Sequence, residues 1–119
     1  MTNEVIDPGE YVARVASAYR NHDGLVLVRL AIVDPDDDTK MLTEIVVALD
    51  PKTPMKFLRF LRSVGYPTPE HRFFVNLSDL RGRFCRVQTE QREWPNKTTG
   101  IMEDHNGIAR FLPREFANA

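Results

Sequence analysis

The only tryptophan of this 119-residue chain sits in the run Gln91-Arg92-Glu93-Trp94-Pro95-Asn96-Lys97, between two cations and just before a proline. An indole offers a flat apolar plane for stacking, and Arg92 and Lys97 offer charge for anionic oxygens. Unpaired nucleic acid is held by this pairing of chemistries. Pro95 biases the residue before it to extended backbone, so Trp94 is expected outside any helix, with its ring projecting. No apolar alternation surrounds it that would draw the ring into a core. Further planar or cationic side chains are spread along the chain as Tyr19, Arg20, His22, Arg29, Arg83 and Arg86.

Residues for catalysis or metal binding do not assemble in the same way. His22, His71 and His105 lie far apart without metal-ligand spacing, and there is no phosphate-cradling glycine loop or nucleophile motif. The acidic run Asp34-Pro35-Asp36-Asp37-Asp38 resembles the start of a calcium loop. That loop wants Gly at its sixth position and Glu at its twelfth, where this chain has Thr39 and Ile45. The run reads instead as a solvated turn between strands. The expectation is a binding protein, not an enzyme, with no cofactor and no metal.

The elements that must position these residues follow from periodicity. Glu10 to Arg20 reads as a strand with Tyr11, Ala13, Val15 and Ser17 on one face, and Asp23-Gly24 provides a tight turn. Leu25 to Val33 is a second strand, with Val26, Val28, Leu30 and Ile32 forming one wholly apolar face. After the loop DPDDDTK, Met41 to Leu49 alternates as a third. Thr53 to Gly65 then reads as a helix, with Thr53 as its cap, Pro54 in its first turn and Gly65 as its left-handed exit. Its apolar stripe is Phe57, Phe60, Leu61 and Val64, and Lys56, Arg59 and Arg62 point to solvent. Beyond an irregular stretch, strands are expected at Arg83 to Arg92 and Gly107 to Leu112, joined by a long loop or extended hairpin tip that holds Trp94.

This β-β-β-α-β-β order predicts a mainly β protein. It fits a five-stranded OB-fold barrel whose one helix, between strands 3 and 4, plugs an open end, better than it fits an SH3-like barrel or another α+β sheet. It is expected as one domain over residues 1–119, with short flexible termini at about 1–8 and 114–119. In such barrels the ligand lies on the face of strands 2 and 3 and against the loops joining strands 1–2 and 4–5. That geometry gathers Tyr19, Arg20, His22, Arg29, Arg83, Arg86, Arg92, Trp94 and Lys97 as candidate nucleic-acid-binding residues.

The opener Pro8-Gly9-Glu10-Tyr11, the helix exit Gly65-Tyr66-Pro67, the segment LRGRFCRVQTE (80–90) and the closing NGIARFLP (106–113) together resemble a family of small phage single-stranded DNA-binding proteins. The resemblance runs in order over most of the chain. It implies an OB fold, single-stranded DNA as ligand, and a role in phage replication or recombination alongside the proteins of those processes. The sequence closes on PREFANA, without the acidic stretch of the better-known bacterial single-strand binders, so recruitment of partners through such a tail is not expected.

Composition limits these readings. The net charge of −1 excludes a strongly basic binder, but residues 1–50 hold 4 Lys/Arg against 10 Asp/Glu, and residues 51–119 hold 12 against 7. A nearly neutral molecule can therefore carry a local basic patch. The lone Cys85 cannot form an internal disulfide, and no apolar run reaches membrane-spanning length, so a cytoplasmic setting is expected (the host cytoplasm for a phage protein), with no membrane partner. Leu25, Leu27, Leu42 and Val46 on the outer faces of strands 2 and 3 are more apolar than a phosphate-lined groove requires. They raise two further expectations: a homodimer through the strand 2–3 face, and an OB-like protein-interaction adaptor as the rival function.

Overall fold

The computed structural model describes residues 5–67 and 75–113. Among these residues, five antiparallel strands form one sheet in the order β3-β2-β1-β4-β5, with one α-helix between β3 and β4. The strands are β1 (Glu10–Arg20), β2 (Val26–Asp34), β3 (Asp37–Leu49), β4 (Phe84–Pro95) and β5 (Met102–Leu112); the helix is α1 (Pro54–Ser63). A 3₁₀ turn, Leu77–Leu80, precedes β4 in the stretch expected to be irregular. His71 lies outside the described residues.

The wholly apolar face of β2 dictates where the core forms. Val26, Val28, Leu30 and Ile32 are fully buried, facing Ala13 and Val15 of β1, Ile45 and Leu49 of β3, and Val87 of β4. Phe60 and Leu61 of α1 and Val64 at its C-cap close the core from one side, Phe60 meeting Phe111 of β5 with ring centroids 5.0 Å apart. Phe57, expected in the same stripe, is only partly buried. Gly65 takes φ 72°, the left-handed exit that the sequence predicts.

The sheet is not closed. Among the described residues β3 pairs only with β2, and β5 only with β4, so no ladder joins the two edges as a closed barrel would require. The edges nevertheless curl toward each other until Cα atoms of β3 and β5 come within 8 Å. At this seam Ile6 is buried, its N–H donating to Asn106 Oδ1 (2.9 Å) and its carbonyl accepting from Gln91 Nε2 (3.3 Å).

Local expectations change in four places. β1 bulges between Val15 and Ser17, so Ser17 lies opposite Arg29 and Ala18, not Ser17, opposite the buried Val28. The loop DPDDDTK contracts to a turn at Pro35-Asp36, because Asp34 Oδ1 accepts the Asp36 N–H and β3 already starts at Asp37. Thr53 does not cap α1 through its side chain; its hydroxyl donates back to the Asp50 carbonyl. The connection between β4 and β5 is no loop at Trp94: the strands pair as far as Pro95 opposite Met102, and only the tip from Asn96 to Ile101 turns.

Candidate nucleic-acid interface

The β4–β5 hairpin runs past the end of β1 and places Trp94 beside its own partner strand. Trp94 lies opposite Glu103, and the diagonal neighbour two residues on is His105. The indole stacks on that imidazole with centroids 4.8 Å apart and planes 22° from parallel, and Trp94 remains 45% exposed. One face of the indole is thus supported by His105. His105 Nε2 is shielded from solvent and has no hydrogen-bond partner among the described residues. A buried, unpaired ring nitrogen costs free energy until a ligand group reaches it.

The Trp94–His105 stack lines a cleft of about 220 Å³ at the seam, closed on its other side by Glu44, Ile45 and Val46 of β3 and by Val5, Asp104 and Asn106. Val46 is 57% exposed and lies opposite Arg29, which lies opposite Ser17, so the outer face continues from the cleft across β3, β2 and β1. In the next row Ala48, Leu27 and Tyr19 stand in line, and Tyr19 is 50% exposed. The surface therefore holds two exposed aromatics, Trp94 and Tyr19, with the apolar row Ala48-Leu27 beside Tyr19.

Trp94, Arg29 and Tyr19 share this surface, but the charges around them are mixed. Arg29 Nε donates to Glu44 Oε1 (2.8 Å), and the same carboxylate takes a second bond from its Nη2, so that cation is already neutralised. Glu44 and Asp104 add carboxylates to the cleft. Arg92 belongs to the same hairpin, yet its guanidinium is bonded to Glu90 Oε1 (2.5 Å) and the Ile108 carbonyl (3.1 Å). It lies so close over Gly107 that a Cβ there would come 2.7 Å from Arg92 Nε. Lys97 stands exposed at the hairpin tip with Ile101 and Met102, and Asn96 shapes that tip by accepting the Thr98 and Thr99 N–H groups. Arg20 and His22 lie at the β1–β2 turn, with His22 against Asp23 at 3.5 Å.

Two candidates lie elsewhere. Arg83 donates to the carbonyls of Asp79, Val64 and Gly65 and sits 5.4 Å above the Tyr66 ring, so it caps the end of α1. Arg86 pairs with Glu10 across the β1–β4 ladder (3.1 Å). The sequence reading missed His105, Glu44 and Asp104, and it had Val46 only as part of an apolar outer face. His105 could have been found only from the hairpin register, which makes it the diagonal neighbour of Trp94.

Cys85 is buried, and desolvation pushes its thiol up to about 12 against a smaller opposing effect from Ser63, so it is no nucleophile at neutral pH. Among the described residues no group of three or more His, Cys, Asp or Glu is placed to hold a metal ion, and no helix is long and apolar enough to cross a membrane. Comparison with protein-family models and with curated proteins finds no match to the chain.

Proposed function

We propose that this chain is a partly open OB-type barrel that binds single-stranded DNA without strong sequence preference, acting by sequestration in phage replication or recombination. The observation that carries the reading is the half-exposed indole of Trp94, supported on one face by His105; its exposed part is where a base would stack. Base–aromatic stacking is sequence-tolerant, because every base has a π-face. The strand order supports the barrel type: β3-β2-β1-β4-β5 is the order left when a five-stranded OB barrel is parted between strands 3 and 5. The surface from Trp94 through Val46 to Tyr19 then follows the strand 2–3 face that such barrels use.

The carboxylates of Glu44 and Asp104 limit how much of the affinity is electrostatic. With two or three phosphate contacts, from such residues as Lys97 and Arg20, log affinity should fall against log salt with a slope of about −1.4 to −2.1. Fluorescence anisotropy with a labelled oligonucleotide over a salt series tests this, and duplex DNA should bind clearly more weakly. Equal binding of duplex, or no binding at low salt, would overturn the reading. A second reading, a protein-interaction adaptor or a homodimer through the strand 2–3 face, is favoured by the exposed apolar Tyr19, Met41 and Val46. It is distinguished by absence of a DNA complex at low salt.

A further inference from the structure

A second cleft, of about 520 Å³, lies between α1 and the end of β5 and shares no lining residue with the Trp94 cleft. Its walls are Arg59 and Arg62 of α1 and Arg110 of β5, and its floor is Phe111, Leu112 and Pro113. All three arginines are exposed. Arg110 Nε donates to Gln88 Oε1 (2.7 Å), a neutral acceptor. Among the described residues the guanidinium groups of Arg59 and Arg62 make no hydrogen bond and no ion pair. Three guanidinium groups thus line one cleft over an apolar floor, with no carboxylate among its described lining residues. Phe111 is buried, so the cleft presents no exposed ring on which a base could stack. Its chemistry suits carboxylates carried on a compact apolar support more than it suits an unpaired strand.

The same chain carries that partner. The β2–β3 turn packs Asp34, Asp36, Asp37 and Asp38 around Pro35 at a hairpin tip. Asp34 and Asp37 spend an oxygen on the turn itself, accepting from Asp36 N–H and from Thr39, whereas Asp36 and Asp38 are exposed and accept nothing among the described residues. Among the described residues no ion pair joins the turn to the arginine cleft within one molecule. We infer that the acidic β2–β3 turn of one copy docks in the Arg59–Arg62–Arg110 cleft of a second copy. The contact is head-to-tail: each molecule offers one turn and one cleft, so association continues along a row instead of stopping at a symmetric pair. The inference is independent of the DNA-binding reading, since it uses neither Trp94 nor the seam.

Sedimentation velocity on the full chain tests it, first in low salt and then at about 0.5 M salt, where exposed charges are screened beyond a few ångströms. Wild type should show species larger than a dimer that grow with concentration at low salt and vanish at high salt. Arg59→Ala/Arg62→Ala and Asp36→Asn/Asp38→Asn, each on surface positions, should each be monomeric alone. Mixed one to one they should form a dimer and nothing larger, because each keeps only one working half. A monomeric wild type at low salt, or association that survives either double variant, would overturn the proposal. The second result would point to the symmetric strand 2–3 face. If the arginine variant self-associates as wild type does but loses oligonucleotide binding, the cleft is a phosphate site and the proposal is wrong.

Discussion

Replacing Trp94 with alanine separates a ligand-stacking indole from a structural one. The residue is 45% exposed, so of a side chain of roughly 250 Å² about 140 Å² is hidden. At about 25 cal/mol per Å² that area has a ceiling of about 3.5 kcal/mol. The ceiling is not reached. Alanine keeps part of the area, the unfolded chain already covers some of it, and the supporting surface is a two-stranded hairpin end and not the closed core. A folding cost of about 1–2 kcal/mol is expected, read by denaturant titration. Loss of one base stack should cost about 1–3 kcal/mol of binding, a roughly 5- to 150-fold weaker affinity for a single-stranded oligonucleotide.

Because Trp94 is the only tryptophan, the wild-type protein reports on itself. Adding oligonucleotide should quench its emission in proportion to saturation, and Trp94→Phe, which keeps a ring over His105, should recover most of the affinity. His105→Ala should weaken binding too, since the indole then loses the support that orients it. A folded Trp94→Ala protein that binds as wild type, with wild-type emission indifferent to DNA, would refute the placing of the site at the seam.

Cys85 should resist a chromogenic thiol reagent at pH 8 and react only at the rate of unfolding, since burial holds its thiol near 12. Phe60→Ala, at a fully buried position against Phe111, should cost about 3–5 kcal/mol of stability, with Phe60→Leu costing less and showing the same sign in denaturant titration. The Asp37 carboxyl is held below its ordinary value of 3.8 by the hydroxyl and backbone N–H of Thr39. Its contribution to the β2–β3 turn is therefore complete above that value and is lost as pH falls through the lower folded value; Thr39→Val should move the Asp37 carboxyl resonance back toward the ordinary titration in an NMR pH series.

How far the sequence reveals this structure depends on whether a segment has an inside. β1 is read at its observed bounds, and the apolar face of β2 is read residue by residue, because one side of each packs on the core. The β4–β5 hairpin beyond Gln91 has no buried side, so its alternation disappears while its ladder continues to Pro95, and the segment reads as a loop. The β1 bulge is hidden for a different reason. Ala16, Ser17 and Ala18 are all small, and a one-residue slip among them leaves no mark in the apolar pattern. Whether β3 and β5 close is not written in either strand, since edge pairing depends on backbone groups that every residue carries.

The cations of the candidate site are alike in type, and their hydrogen bonds rank them differently. A guanidinium has five donors, and what it can offer a phosphate is what it does not already spend. Arg83 spends its donors on three carbonyls at the end of α1 and its face on Tyr66, so turning it to a ligand would uncap the helix. Arg92 is held by Glu90 and by a backbone carbonyl over Gly107, and Arg29 by Glu44. Releasing either leaves a carboxylate facing the phosphates it was meant to attract. Lys97, at the exposed hairpin tip a few residues from Trp94, carries no such commitment among the described residues. A strand stacked on Trp94 would thus meet its first freely available cation at Lys97, so Lys97→Ala should flatten the salt slope by about 0.7 while Arg83→Ala acts mainly on stability.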